Sequence, residues 1–372
     1  MADSRRPLRH LLVRAPNWVG DLVMATPILE AAAADARFER ISLVLREPLA
    51  PVLRHGPLEA HLVPLARGAS EVGLYRERAP DAVLLLTNSF GAAWRAFRAR
   101  VPLRAGASLA GRGPLLTHRV VPPTRDGRRV PIPTAHLLAD VAGLLGILPA
   151  SLHPRLHVDP ATHAALRARL EELGLARGAR YVLCTPSAAF GAAKMWPARH
   201  HARALELLHE RFDLQAVVTG GPGEEAVMAA VAGACRTPVI DLSREPRDLE
   251  RLKGLVADAT LLLSSDSGPR WFAAAFDVPC VTVMGPNFPE LTASSLEWCR
   301  VVRVEGLECS PCLQRQCPLG HHRCMRELSS ATVLAAAREV LESRERATGS
   351  VAKPGVTPGA PLGAPLDPAA RP

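Results

Sequence analysis

At residues 10–27 the chain reads HLLVRAPNWVGDLVMATP, an apolar run followed by a loop and a helical pattern. His10–Arg14 is typical of a buried strand, and the apolar spacing after it predicts a helix over Gly20–Ala34. Such a unit places its loop at the carboxyl end of a parallel sheet, where open α/β folds bind ligands. The stretch therefore predicts a ligand near Gly20 and Asp21. An aspartate in a first helical turn also has a simpler explanation, because the helix dipole favours it there.

The alternation of apolar runs with helical stretches continues in two series. The further predicted strands are Ile41–Leu45, Ala82–Thr87, Tyr181–Thr185, Leu214–Thr219, Pro238–Asp241, Thr260–Ser265 and Cys280–Met284. Two such series predict an α/β fold of two Rossmann-like, doubly wound domains facing each other across a cleft. We place the first domain at residues 1–155 and the second at 156–347. Residues 348–372 are rich in Pro, Gly and Ala, and we expect a disordered tail.

The composition is that of an ordinary globular enzyme. The chain has 372 residues, enough for two cores, with 48% hydrophobic and 22% charged residues. No apolar run approaches the roughly 20 residues that span a bilayer, and Met1–His10 is polar and basic, unlike a signal peptide. We therefore expect a cytoplasmic protein. Aromatic residues make up only 4% and the sequence suggests no basic–aromatic platform, which argues against a nucleic-acid partner.

The net charge of +9 comes almost entirely from arginine, since the chain has only three lysines. Nine arginines fall in one segment in which Asp126 is the sole opposing charge. They are Arg95, Arg98, Arg100, Arg104, Arg112, Arg119, Arg125, Arg128 and Arg129. Such a surface would attract phosphate or anionic lipid, and a merely solvated arginine face is the alternative. Within this segment, Pro102–Pro133 is rich in Arg, Gly and Pro and predicts loops plus an edge strand.

A loop in the second series has groups suited to a diphosphate. It reads TPSAAFGAAKMWP over residues 185–197 and contains Thr185, Ser187 and Lys194. Hydroxyls and an ammonium group can hold phosphate oxygens by hydrogen bonds and charge. The alternative is a surface loop anchored by Trp196.

Two further loops lie at the same predicted edge of the second sheet. One runs from a strand through Asp266, Ser267 and Gly268 into a helix, whose free N–H groups favour an anion. Asp266 or Ser267 equally fits an ordinary helix N-cap. The other is rich in glycine and ends at Glu224, whose carboxylate could accept hydrogen bonds from a ribose or a base.

These motifs together resemble the glycosyltransferase family that transfers heptose from ADP-heptose to the inner core of lipopolysaccharide. The resemblance covers about residues 9–345 and is most specific at NWVGDLVMATP, residues 17–27. FGAAKMWP at 190–197 and the Asp-Ser-Gly motif follow in the expected order. So does the cysteine-rich CSPCLQRQCPLGHHRCM at 309–325.

The resemblance implies a GT-B architecture, with the acceptor on the first domain and the ADP-sugar donor on the second. It assigns the general base to Asp21, phosphate contacts to Thr185, Ser187 and Lys194, the adenosine side to Glu224, and the sugar-diphosphate site to Asp266, Ser267 and Gly268. Members of the family often have a histidine where this chain has Trp271. If that histidine helps the diphosphate to leave, the role is either vacant in this chain or supplied by Arg270.

Four cysteines form a cluster with the spacing C-x2-C-x4-C-x6-C, namely Cys309, Cys312, Cys317 and Cys324. Thiolates at this density suit a structural zinc ion or an iron–sulfur cluster, although the spacing is not that of two C-x2-C knuckles. Reduced structural cysteines in a tight loop are the alternative. Because the cluster follows the donor motifs in sequence, we expect it to have little effect on donor binding.

The resulting hypothesis is an inverting glycosyltransferase that needs no cofactor for catalysis. Its acceptor would be an acidic, lipid-linked oligosaccharide of the lipopolysaccharide inner core, with peripheral contact at the inner membrane. Two alternatives stay open. One is a non-catalytic nucleotide- or metal-binding regulatory protein on the same scaffold, and the other is a glycosyltransferase with a different donor sugar.

Overall fold

A computed structural model describes residues 8–349, which form two α/β units in succession. The strands of the first unit are β1 (His10–Arg14), β2 (Arg40–Arg46), β3 (Leu62–Leu65), β4 (Ala82–Leu85), β5 (Leu103–Ala107) and β6 (His118–Val120), followed by the short hairpin β7 (Thr124–Arg125) and β8 (Arg128–Arg129). Its helices are α1 (Val19–Met24), α2 (Thr26–Ala33), α3 (Glu71–Arg78), α4 (Phe90–Arg98) and α5 (Thr134–Gly143). Near-continuous apolar strands such as β1 and β4 are buried throughout, as expected for a sheet covered on both faces.

The second unit repeats this design. Its strands are β9 (Tyr181–Thr185), β10 (Gln215–Val218), β11 (Val239–Asp241), β12 (Leu261–Ser265), β13 (Cys280–Val283) and β14 (Cys299–Val302). Its helices are α6 (Pro160–Glu172), α7 (Ala198–Phe212), α8 (Glu225–Ala234), α9 (Leu249–Asp258), α10 (Pro269–Ala275), α11 (Arg323–Arg326) and α12 (Ser330–Thr348). The helix α12 closes the unit by packing against α7, β13 and β14.

Both six-stranded sheets are parallel and share one strand order. The first sheet runs β3-β2-β1-β4-β5-β6 and the second β11-β10-β9-β12-β13-β14. In each sheet the order reverses beside the first strand, between β1 and β4 and between β9 and β12. Loops that leave the carboxyl ends of strands at such a switch point form a crevice that binds ligands. The predicted fold class is therefore confirmed, while the domain bounds 1–155 and 156–347 stay a prediction.

The predicted helix over Gly20–Ala34 is divided into α1 and α2 at Ala25. Pro27 has no N–H with which to continue the hydrogen-bond ladder from the carbonyl of Val23. The Thr26 hydroxyl donates to that carbonyl instead, at 2.9 Å. The interruption keeps α1 to six residues and fixes its direction at the sheet edge.

The prediction for Pro102–Pro133 is confirmed for its edge strand, β6, but it missed β5 and the hairpin. Arg112 also departs from the predicted arginine surface. Its side chain is buried, its Nε donates to the carbonyl of Ala107 at 2.7 Å, and burial lowers its pKa to about 10. A buried guanidinium bonded to carbonyls fixes the β4–α4 loop and is not available to an external anion.

Within residues 8–349, no helix is both long and apolar enough to cross a membrane. The predicted tail at 348–372 lies almost wholly outside the described residues. Its first residue, Thr348, is the last residue of α12, and Gly349 follows in a left-handed conformation.

Candidate active site

A cleft of about 810 Å³ lies between the two units, at the carboxyl ends of both sheets. This volume is in the range of small-molecule binding sites. All eight residues predicted for the donor site and the general base line it: Asp21, Thr185, Ser187, Lys194, Glu224, Asp266, Ser267 and Gly268. The parallel topology gathers motifs that are up to 247 positions apart, Asp21 to Gly268, at one place.

Asp21 lies in the first turn of α1 and is half-buried in the wall of the cleft. Burial raises the pKa of its carboxyl to about 6, since a charged form loses hydration there. A carboxylate with such a pKa is ionised at neutral pH but more basic than one in water. It therefore has the protonation behaviour of a general base working near pH 7.

Lys194 is held in the cleft by Asp266. Its Nζ lies 2.5 Å from Asp266 Oδ2 and 3.0 Å from the Asp266 backbone oxygen. The amide of Asn287 donates to the same carboxylate oxygen at 2.8 Å, and Lys194 also lies over the ring of Phe190 at 4.9 Å. These bonds orient the lysine. Since the Asp266 carboxylate would repel a diphosphate, we interpret it as a partner of Lys194 and not as a direct phosphate contact. Two of the three N–H groups of the ammonium are used in the bonds to Asp266, and the third remains for an anionic ligand.

Ser187 and Glu224 join two loops at the edge of the second sheet. The Ser187 hydroxyl donates to Glu224 Oε2, and the backbone N–H of Gly221 donates to the same oxygen at 2.5 Å. Thr185 instead points to the interior, where its hydroxyl donates to Ser264 Oγ at 2.9 Å. One carboxylate oxygen of Glu224 therefore shapes the glycine-rich loop.

The two units touch directly beside Asp21. A Cβ placed on Gly20 would come within 2.6 Å of Trp271 Cδ1, and one on Gly268 would come within 3.2 Å of Val19 Cβ. The two glycines therefore permit α1 and α10 to approach more closely than side chains would allow. Trp271 is buried in this contact and also lines the cleft.

The structure corrects the idea that Arg270 replaces the family histidine. The Arg270 side chain is buried and its Nη2 donates to the carbonyl of Thr292 at 2.8 Å. Its guanidinium lies over the ring of Trp271 at 4.6 Å, and it does not line the cleft. Arg270 therefore supports Trp271, while the indole occupies the histidine position and offers no acid–base group.

The cysteine-rich segment packs directly on the loop 185–197, which was predicted to bind phosphate. The N–H of Ala193 donates to the Arg315 carbonyl at 3.0 Å, and His322 Nε2 bonds the carbonyl of Ala193 at 2.8 Å. Gly191 has φ 148°, and a Cβ there would meet the Arg315 oxygen at 2.5 Å. The segment therefore lies against the loop that carries Lys194 in spite of its distance in sequence, while its effect on donor binding stays a prediction.

The four clustered cysteines are free and half-buried. Burial, and then the neighbouring thiols of Cys312, Cys317 and Cys309, raise the pKa of Cys324 to about 11. The thiols are therefore near enough to interact electrostatically. Among residues 8–349, no three His, Cys, Asp or Glu side chains converge as metal ligands. The metal site stays a prediction.

Sequence reasoning missed several cleft residues. Asn287, which fixes Asp266, follows β13 in a Gly-Pro-Asn loop at the sheet edge, and that position was the available signal. The wall made by Leu242 and Arg247–Leu252 follows β11 and was not foreseen, because its residues form no recognisable motif. Pro48 and Pro51 contribute from the first unit, after β2.

Two doubly wound units with ligand-binding loops facing one cleft define the GT-B architecture. Solved structures agree in fold. The Escherichia coli ADP-heptose lipopolysaccharide heptosyltransferase II superposes with a TM-score of 0.70 at 23% identity, covering 91% of this chain and 100% of that one. A family 9 glycosyltransferase from Veillonella parvula gives 0.74 at 20% identity, covering 91% and 99%.

Sequence comparison identifies the family. The model of glycosyltransferase family 9 (heptosyltransferase) matches residues 74–323. The lipopolysaccharide heptosyltransferase 2 of Salmonella typhimurium is 28% identical over 315 residues, which are 79% of this chain and 88% of that protein. The chain belongs to glycosyltransferase family 9 and is a glycosyltransferase of the heptosyltransferase group.

Proposed function

We propose that this enzyme transfers a heptose from ADP-heptose to the inner core of lipopolysaccharide, by direct displacement with inversion. The observation that carries the proposal is that one cleft contains both a carboxylate with a raised pKa, Asp21, and an oriented cation, Lys194. The names of the curated relatives, lipopolysaccharide and lipooligosaccharide heptosyltransferase 2, supply the heptose and the acceptor, and that of the Escherichia coli structure, ADP-heptose lipopolysaccharide heptosyltransferase II, supplies the nucleotide.

Asp21 acts on the acceptor. Its carboxylate takes the proton of the acceptor hydroxyl while the hydroxyl oxygen attacks the anomeric carbon of the donor. The bond from that carbon to the diphosphate oxygen breaks, and ADP leaves with the electron pair. Since the attack is from the face opposite the leaving group, one displacement inverts the anomeric configuration.

Lys194 stabilises the diphosphate as it leaves. Its charge and its one remaining N–H group suit a phosphate oxygen, and Asp266 with Asn287 holds it in position before the donor binds. Ser187 and Ser267 also line the cleft. Their hydroxyls donate to Glu224 and to the carbonyl of Ser265 in this structure, so either would have to exchange that partner to donate to a phosphate. Glu224 and the Gly221 loop form the part of the cleft assigned to adenosine.

These groups supply the positive charge and donors that a divalent cation provides in other transferases, so catalysis needs no metal in this proposal. A structural zinc ion or iron–sulfur cluster at Cys309, Cys312, Cys317 and Cys324 is a separate proposal. It would act by holding the segment that carries the Arg315 carbonyl against Ala193. The acceptor is lipid-linked, which implies a cytoplasmic enzyme with peripheral contact at the inner membrane.

The test uses purified protein, ADP-heptose and a core acceptor that lacks the second heptose. Mass spectrometry should find one added heptose, and NMR of the product should find the inverted anomeric centre. ADP-glucose and UDP-glucose serve as donor controls. Transfer from another donor at a higher kcat/KM would replace the heptose assignment, and no transfer from any donor would favour a regulatory protein.

A further inference from the structure

The helix α4 has its largest side chains on the outside. Its inner face consists of Ala92, Ala93 and Ala96, all buried against the first sheet. Phe90, Trp94 and Phe97 are 48%, 40% and 44% exposed. Because they recur at intervals of four and three residues, they form one stripe opposite the alanines. Folding of this unit does not require three exposed aromatic rings, so they suggest a partner.

The rings form one continuous surface together with two arginines. The centroids of Phe90 and Trp94 are 6.3 Å apart, and those of Trp94 and Phe97 are 5.8 Å apart. The Arg98 guanidinium lies 6.0 Å from the Trp94 centroid, and that of Arg104 lies 5.6 Å from the Phe97 centroid. We call this surface, made of these five residues, the α4 face. It corrects the expectation that the chain has no basic–aromatic platform.

The segment of sequence that contains the α4 face carries charge of one sign. Between Asp81 and Asp126 the sequence has no acidic residue and seven arginines. In the described part of the chain, Arg98 forms no ion pair with a carboxylate, whereas Arg95 is neutralised by Glu71 at 3.1 Å. Arg104 has no carboxylate partner there either, but its guanidinium donates to the carbonyls of Leu115 and Val101 at 2.7 and 2.6 Å, so the contact with phosphate is left mainly to Arg98. The α4 face therefore combines exposed aromatic area with uncompensated positive charge.

The helix that carries the α4 face follows β4, at the same carboxyl end of the first sheet at which α1 and Asp21 lie. β4 ends at Leu85, and a short loop through Thr87 leads to α4. Asn17, in the loop before α1, has its amide 3.5 Å from the Thr87 hydroxyl. A surface bound to the α4 face thus lies on the acceptor side of the cleft.

We propose that the α4 face docks on an anionic phospholipid bilayer. Tryptophan and phenylalanine partition into the boundary between head groups and acyl chains, while arginine contacts the phosphates above it. Basic residues near such a surface each strengthen binding by about fivefold. The inference rests on the proposed function in one respect, since a lipid-linked acceptor gives the enzyme a reason to be at a bilayer.

Vesicle co-sedimentation tests the docking itself. The full chain should sediment with vesicles of phosphatidylcholine and phosphatidylglycerol (about 3:2) and at least about tenfold less with pure phosphatidylcholine. The double variant Trp94→Ser/Phe97→Ser should weaken binding to anionic vesicles by about 30-fold or more, and Arg98→Gln by about fivefold. Leu148→Ser and Arg211→Gln change exposed residues elsewhere and should bind like the unchanged protein.

The proposal would be overturned if the Trp94→Ser/Phe97→Ser protein bound vesicles as tightly as the unchanged protein. It would also be overturned if the control Leu148→Ser lost as much binding as the double variant. A protein that does not bind vesicles but forms a dimer in analytical ultracentrifugation, lost in the double variant, would identify the α4 face as a dimer interface instead. Binding to a single-stranded oligonucleotide as tight as binding to vesicles, and not displaced by them, would also overturn the proposal. Thermal unfolding of each variant within about 2 °C of the parent shows that a loss of binding is not a loss of fold.

Activity separates this inference from the proposed function. With a deacylated, water-soluble acceptor, the double variant should keep its kcat and KM. With the same acceptor core, lipid-linked in anionic vesicles, its apparent KM should rise about tenfold or more. If no acceptor is glycosylated but vesicle binding still depends on Trp94 and Phe97, the proposed function fails and the docking surface stands. If transfer is normal but vesicle binding does not depend on Trp94 and Phe97, the proposed function stands and the docking surface fails.

Discussion

Replacing Asp21 by Asn should make the enzyme inactive and more stable at once. The carboxylate is in the cleft because chemistry requires it, and burial is unfavourable for its charge. Asparagine keeps the shape of the side chain but neither takes a proton nor carries a charge. We expect turnover to fall by at least about 10²-fold, as for loss of a general base.

The stability gain follows from the raised pKa. The pKa of the Asp21 carboxyl is near 3.8 in the unfolded chain and about 6 in the folded chain, so folding favours the protonated form. The wild-type protein therefore loses stability as the pH rises from about 4 to about 6, and the Asp21→Asn variant escapes this loss. With about 1.36 kcal/mol per pKa unit, the variant should be more stable by about 3 kcal/mol at pH 8 and by about half as much at pH 5.

Urea unfolding at pH 5 and pH 8 measures both values. Asp140→Asn, at an exposed position on α5, is the matched control and should differ from wild type by less than about 0.5 kcal/mol at either pH. An Asp21→Asn protein that is inactive but not stabilised would mean that the carboxylate is better solvated than its position suggests. A stabilised variant with normal turnover would remove Asp21 from the mechanism.

Four further outcomes are expected. The value of kcat/KM should decline below about pH 6 with a slope of one as Asp21 becomes protonated, and a profile flat down to pH 5 would contradict its role. Lys194→Ala should weaken ADP binding in calorimetry by about tenfold, and unchanged affinity would place the lysine outside the donor site. Gly191→Ala should lower ADP affinity and the melting temperature, because its Cβ meets a backbone oxygen of the cysteine-rich segment at 2.5 Å. Gly178→Ala, with φ 76° and open space around it, should change the melting temperature only. If the cysteine cluster holds metal, elemental analysis should find about one zinc ion or one iron–sulfur cluster per chain, and Cys312→Ser should lose the metal together with stability and ADP affinity; metal-free protein of full stability would leave four ordinary thiols.

Parallel strands made the fold predictable. β1 and β9 were placed at their observed bounds because buried strands of an α/β sheet are continuous apolar runs ended by loop residues. β3 was missed because its run Leu62–Leu65 contains a proline and is only partly buried, so its pattern is weak. β14 was missed because arginine interrupts its four residues. Edge strands bury less, and their sequences are accordingly less constrained.

The candidate site was predictable where its residues follow strands directly. Lys194 and Asp266 lie in segments that follow carboxyl strand ends, Asp21 lies in the first turn of the helix after β1, and the shared topology brings these segments together. The partners were not predictable. That Lys194 is paired with Asp266, and that Glu224 binds Ser187, depends on side-chain directions that no spacing rule contains.

Trp271, which departs from the family pattern, has a role in packing between the two units. A histidine at this position would leave part of the space that the indole fills against Gly20. The indole in turn lies against the buried guanidinium of Arg270, which the carbonyl of Thr292 holds in place. Together they form a continuous column from the second unit to the helix that carries Asp21. The side chain at this position therefore sets how closely α1 approaches α10, and in the proposed mechanism the charge of the departing diphosphate is left to Lys194.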